Sequence, residues 1–345
     1  MPGQSRLFLD GSALGSNWQA LDRLSGSASC AAAVKADGYG LGAREVVSRL
    51  ARAGCRDFFV AHWSEAAALS DLVDPAHLSV LHGVQGQELS FARALGVKPV
   101  INSLHQARQW IETGGGLCDL MIDTGMARLG IAANELGDGS IDALDIDIAM
   151  SHLASADEDS AQNRQQCDQF AQLSTRVKAR RRSLANSAGI ALGSDYHFDV
   201  TRPGLSLYGG IARGELADVI APVVTIAARV LQVRDLNAGD PVGYGATFVA
   251  PRAMRTATLG LGYADGYLRG FSGKGLGRWN NADLPVLGRV SMDLLIVDAT
   301  AATGLSEEDW VAIDYDLVRM ERISGLSQYE LLTGLGDRFE RIWRD

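Results

Sequence analysis

Short apolar runs alternate with amphipathic stretches from about residue 29 to 210. The runs at 30–34, 57–61, 78–82, 98–101, 117–122, 145–150, 183–185 and 205–207 read as buried strands. Helical periodicity falls between them, at 42–53, 63–72, 86–95 and 103–112, with the longest such stretch at 159–182. Eight strands, each followed by a crossover, predict a closed parallel (β/α)8 barrel rather than an open sheet. From about residue 222 the period changes. Strand-like runs at 223–233, 257–262, 284–288 and 294–298 are separated by Gly, Pro, Asn and Asp turns, and one late helical pattern covers 327–334. The chain is therefore expected to be an α/β protein, with an N-terminal (β/α)8 barrel over 1–220 and a C-terminal, mostly β domain over 221–345.

In a parallel barrel the groups that act on a ligand stand at the carboxyl ends of the strands. Lys35 follows the first run, with Tyr39 in the glycine-rich turn behind it; the string 123–130 (DTGMARLG), with Arg128, follows the fifth. His152 follows the sixth, Asn186 and Ser187 the seventh, and Arg202, Gly204 and Leu205 lead into the eighth. A lysine ending an interior strand is costly to keep charged and unpaired, and burial suits its amine to Schiff-base chemistry; it can equally emerge into solvent. Asn186 and Ser187 also suit a helix cap, His152 a satisfied core histidine, and the two arginines a solvated surface. Their coincidence at strand ends favours a site. The turn 38–43 fits G-x-G-x-x-A as well, a dinucleotide fingerprint. The acidic residue it needs is misplaced, since Asp57 opens the next strand instead of ending it, and Lys35 is left unexplained.

Composition narrows the partners. The chain of 345 residues is 47% hydrophobic and 21% charged, ordinary for a globular protein. A net charge of −9 argues against nucleic acid or an anionic membrane. The four cysteines show no pairing pattern and the six histidines no metal-ligand spacing, so no metal is expected. No signal-like apolar core opens the chain and no run approaches a membrane span, which predicts a cytoplasmic protein. The acidic residues Asp157, Glu158 and Asp159 suit the start of the long helix, and Gly273-Lys274-Gly275 lacks the Ser or Thr of a phosphate-binding P-loop.

The string 34–40 (VKADGYG) resembles the cofactor-lysine motif of alanine racemases. The strings 123–130, 151–157 (SHLASAD), 186–188 (NSA), 202–205 (RPGL) with Tyr208-Gly209, 244–247 (YGAT), 262–266 (GYADG) and 291–293 (SMD) resemble further signatures of that family, in order and over nearly the whole chain. The resemblance implies a pyridoxal 5′-phosphate (PLP) barrel followed by a β domain, working as a head-to-tail homodimer in which each β domain closes the partner's site. It implies an isomerase that interconverts L- and D-alanine and supplies D-alanine for peptidoglycan.

By the same resemblance Lys35 carries PLP covalently and serves one face of the substrate, while Tyr263 from the partner chain serves the other. A free tyrosine is only about 0.1% ionised at pH 7, a penalty of roughly 4 kcal/mol, so a cationic neighbourhood is needed; the family supplies a histidine, here His152, backed by the arginine at the pyridine nitrogen, here Arg202. Tyr39, Ser187 and the backbone of Gly204 and Leu205 are expected to hold the phosphate, with Asn186 in the same motif, while Arg128 and the backbone near Met292 meet the substrate carboxylate. Two positions depart from the family. Met121 stands where a carbamylated lysine is common, so a bound anion or another carboxylate is expected to partner Arg128. The region 336–340 (GDRFE) lacks the tyrosine that usually reaches the phosphate. The competing readings are a racemase of broader specificity that includes serine, a PLP carrier without turnover, and a nicotinamide oxidoreductase.

Overall fold

Nine parallel strand segments run in the order Ser29–Cys30, Val200–Thr201, Ala179–Ser183, Asp145–Met150, Leu117–Met121, Lys98–Ile101, Leu78–Val80, Phe58–Val60 and Ala32–Ala33. The first and last of these are halves of one strand. Residues 31 and 33 donate to Thr201 and Pro203 on one side, and residues 32 and 34 donate to Asp57 and Phe59 on the other. The ring is thus an eight-stranded parallel barrel closed at that strand. The computed structural model describes residues 3–345. They divide into two units, Leu14–Ala221 and a second formed by residues 3–13 together with Pro222–Asp345.

Two barrel strands differ from the sequence pattern. The seventh is Ala179–Ser183, not 183–185, and the long helix stops at Leu173. Its run of arginines looks solvated, yet Arg181 turns inward to Asp147 (2.7 Å) and Asp57 (2.6 Å). There it joins the fully buried Lys98, whose Nζ lies 2.5 Å from Asp147 and 3.5 Å from Asp119. A bulge sets Asp147 and Ile148 against the single residue Asp119, whose carboxylate accepts the Ile148 amide that the bulge displaces (3.1 Å). The eighth strand is Val200–Thr201, not 205–207; Pro203 offers no N–H to continue the ladder, and Leu205–Tyr208 is a 3-10 turn. Above the ionic layer the interior is apolar, built from Ala31, Phe59, Val100, Met121, Ile148, Met150 and Val200.

In the second unit Val224–Leu236 is long enough to pair with several partners. Met254–Leu259, Leu295–Asp298, Ala282–Leu287, Leu276–Trp279 and Trp310–Ile313 follow one another and return to it, closing six strands into a ring. Ser5–Asp10 pairs antiparallel with Val224–Leu236 and parallel with Glu340–Arg344. The first strand of the chain therefore belongs to the β unit, a placement that the pattern of apolar positions does not give.

Candidate active site

The first barrel strand ends in a left-handed turn. Ala36, Asp37, Gly38, Tyr39 and Gly40 all have positive φ, between 52° and 85°. Such backbone costs about 1–2 kcal/mol for each non-glycine residue, so neighbours must hold it. Gly38 donates to Val34 O (2.9 Å), Gly40 to Ala36 O (2.8 Å) and Gly42 to Asp37 O (2.9 Å). The Asp37 carboxylate accepts from Ala43 N at the start of the helix Ala43–Ala53 (2.8 Å). Glu65 spans the turn and the next strand end: Oε1 accepts from Ala36 N (2.6 Å), Oε2 from Ala61 N (2.7 Å) and His62 N (3.1 Å). Lys35, at the head of this turn, is half-buried. Burial holds its pKa below the usual lysine range, with the Arg128 and Arg202 charges adding to the shift and Glu65 opposing it.

The turn brings the Tyr39 ring onto Tyr208, stacked with centroids 4.5 Å apart, and the Tyr208 hydroxyl donates to Ala33 O (2.9 Å). The Tyr39 hydroxyl lies over Gly204; a Cβ built on Gly204 would stand 2.2 Å from it. Ser187 Oγ accepts from Gly204 N (2.9 Å) and Ser206 N (3.3 Å), and the buried Ser206 Oγ has no partner. The Tyr39 and Ser187 hydroxyls and the amides of Gly204 and Ser206 thus gather in one small space, a cradle suited to a phosphate. Leu205 is buried beside it, packed toward Gly210. Asn186 is committed otherwise: its Oδ1 caps the short helix Ser187–Ala191 by accepting from Gly189 N (2.8 Å).

Arg202 is a buried cation, and among the described residues no carboxylate pairs with it. Its Nη2 donates to Ser151 O (2.6 Å), its Nη1 to Ser183 Oγ, and its Cζ lies 5.9 Å from the Phe59 ring centroid. Burial pushes its pKa down to about 10, with Asp119 opposing. Burial, then the charges of Arg202, Lys35 and Arg128, push His152 down to about 3 and keep it neutral. The exposed Arg128 stands on a loop folded around Asp123 Oδ1, which accepts from Gly125, Met126 and Ala127. Met121 lies in the apolar barrel interior and places no charge near that loop.

The structure therefore gathers Lys35, Tyr39, His152, Ser187, Arg202 and Gly204 at the carboxyl end of the barrel, with Arg128 on an adjoining loop. Tyr263 and Met292 are neighbours in the β unit: Tyr263 N donates to Ser291 O (3.0 Å) and Ala264 N to Met292 O (2.9 Å). Sequence reasoning missed Glu65 and Ser206. Glu65 has a faint signal, an acid three residues after His62 at the start of the helix Trp63–Leu69. Among the described residues no cluster of three or more metal-ligating side chains occurs, and no helix is long and apolar enough to cross a membrane.

A lysine beside an anion cradle and a buried arginine, at the mouth of a parallel barrel accompanied by a β unit, defines a class of barrel proteins equipped for an aromatic phosphate cofactor. The family model for the alanine racemase N-terminal domain matches residues 9–212, and that for the C-terminal domain matches residues 223–343. The chain is 41% identical to the biosynthetic alanine racemase of Agrobacterium fabrum, covering 97% of this chain and 93% of that protein. It is 40% identical to the alanine racemase of Brucella canis, covering 98% and 93%. Among solved structures, the alanine racemase of Bartonella henselae with covalently bound pyridoxal phosphate superposes with a TM-score of 0.91 at 34% identity, covering 99% of this chain and 100% of that one. The chain belongs to the alanine racemase family.

Proposed function

We propose that the chain is a PLP-dependent racemase of alanine, acting as a cytoplasmic homodimer and supplying D-alanine for peptidoglycan. One observation carries the reading most: Lys35 ends a barrel strand at the head of the turn that lays the Tyr39 hydroxyl against Gly204, so close that a Cβ there would stand 2.2 Å from it. The residues fit the cofactor. Ser187, Tyr39, Gly204 and Ser206 offer hydroxyls and amides to its phosphate, and the buried Arg202 offers N–H donors to its ring nitrogen without giving up a proton. Bound there, PLP supplies an electron sink that acidifies the substrate's Cα–H bond.

In this reading the barrel holds the cofactor and the β domain, which also takes in the chain's first strand, completes the site of the other subunit. Arg128 anchors the substrate carboxylate together with the backbone at Met292. Lys35 Nζ takes or returns the Cα proton on one face, and the partner subunit's Tyr263 does so through its hydroxyl on the other. A neutral His152 orders the site without adding charge, and Arg202 behind it supplies the positive field. The test is purified protein supplied with PLP and L-alanine. Loss of optical rotation, with D-alanine formed and a yellow colour that borohydride treatment removes, is expected. Colourless protein, or coloured protein that leaves L-alanine unchanged, defeats the reading.

A further inference from the structure

The turn that carries Tyr263 is held from two sides by backbone. A Cβ on Gly262 would stand 2.3 Å from Met292 O, one on Gly266 2.4 Å from Gly334 O, and one on Gly336 2.9 Å from Ala264 O. The turn therefore lies between the loop 291–293 and the segment 334–338 with no side chain to space it from either. One residue ties all three together. Arg338 Nε donates to Asp265 Oδ1 (2.7 Å) and its Nη1 to Asp293 Oδ1 (2.7 Å). The buried Asp265 uses its other oxygen to accept from Gly262 N (2.9 Å), and Gly336 N donates to Asp265 O (3.2 Å). The C-terminal segment that lacks the family's usual tyrosine thus has another task.

We propose that Arg338 is a positioning residue: its guanidinium, bridging Asp265 and Asp293, fixes the Tyr263 turn to the Met292 loop so that the proton-transfer hydroxyl and the backbone meeting the substrate carboxylate keep one spacing. This rests on the racemase reading for its functional consequence, but its structural content stands apart. Half of the Arg338 side chain is solvent-exposed and Asp293 more than half, so the Asp293 arm of the clamp contributes little to global stability, while the buried Asp265 relies on the guanidinium as its charge partner. What it supplies is geometry. A guanidinium reaches two carboxylates at once through a planar fork; a lysine ammonium is a single point charge on a flexible stem.

The experiment compares Arg338→Ala, Arg338→Lys and Tyr263→Phe in the PLP-loaded dimer. Arg338→Ala is expected to lower kcat/KM for alanine about 10–100-fold, the scale of a misplaced catalytic group, with the cofactor absorbance unchanged and Arg338→Lys recovering part of the loss. The α-deuterium isotope effects in the two directions should become unequal in the same sense as in Tyr263→Phe. Hydrogen exchange supplies a readout that does not depend on turnover: amides at 262–264 and 291–293 should exchange at least 10-fold faster in Arg338→Ala, while those at 36–43 keep their rates. Unchanged exchange at 262–264, or an activity loss with both isotope effects unaltered, overturns the proposal. A wild-type protein without racemase activity overturns the racemase function instead, and the exchange result still decides whether Arg338 is the clamp.

Discussion

At Lys35 the chain is bent by five consecutive residues of positive φ and held by the Glu65 carboxylate, which gathers amides from residues 36, 61 and 62. At Tyr263 the backbone is ordinary by comparison, and the constraint comes from neighbouring loops packed against Gly262, Gly266 and Gly336 and tied by Arg338. The first turn stores conformational strain and balances it with hydrogen bonds to one charged group. The second achieves position by close approach, which tolerates no added atom. Two groups proposed to share one reaction are thus presented by different physics, and substitutions should separate the two designs.

The largest effect tests the roles themselves. Lys35→Ala removes both the proposed cofactor attachment and one proton-transfer group, so activity should fall on the order of 10^4-fold or more. Tyr263→Phe leaves the cofactor in place and removes one hydroxyl; a loss of about 10^2–10^3-fold is expected, with unequal changes in the isotope effects of the two directions. Equal, mild losses in both variants would show that neither turn carries the chemistry.

Gly262→Ala comes next. The new Cβ would meet the Met292 carbonyl, which is backbone and has no rotamer to escape into. The loops must part, at about 1–3 kcal/mol of stability, and the separation of Tyr263 from Met292 should lower kcat/KM about 10–100-fold. Thermal unfolding and kinetics measured on the same preparation check it. An alanine accepted at 262 with full activity would mean that close packing is not what sets Tyr263.

How far each turn can be read from the sequence differs for the same reasons. The barrel, the change of period near residue 222 and the cluster of polar residues at strand ends all follow from apolar spacing, because burial imposes that spacing directly. The strand Ala179–Ser183 does not, since its arginine run points a charge into the barrel, where Lys98, Asp57 and Asp147 make it acceptable. The left-handed turn is only half visible: Gly38, Gly40 and, weakly, Asp37 suit positive φ, whereas Ala36 and Tyr39 carry no signal for it. Arg338 is hidden because its partners stand 73 and 45 positions earlier in the chain. Asn186 could be read either as part of a cofactor site or as a cap, and its observed bond is the cap.

Glu65→Gln probes the other design. The carboxylate accepts with both oxygens, whereas a glutamine has one acceptor and turns an NH2 toward either Ala36 N or the amides of residues 61 and 62. An unsatisfied amide facing a donor costs about 1–3 kcal/mol. The midpoint of thermal unfolding should drop, activity should fall roughly 10-fold by misplacement of Lys35, and exchange should quicken at 36–43 but not at 262–264. Faster exchange in both turns would mean that they are not held independently.

The smallest effect isolates strain. Ala36 is exposed, sits at φ 53° and bonds through its backbone N–H to Glu65 and its C=O to Gly40, not through its methyl group. Ala36→Gly relieves a left-handed penalty of about 1–2 kcal/mol while adding about 0.5–1 kcal/mol of unfolded-state entropy to be lost on folding. The net is a gain of up to about 1.5 kcal/mol, visible as a small rise in unfolding midpoint. The corresponding exposed alanine of the other turn, Ala264, has no positive φ to relieve, so Ala264→Gly should lose stability instead. Opposite signs for the two alanine-to-glycine changes distinguish a turn under backbone strain from one set by its neighbours; matching signs would erase the distinction.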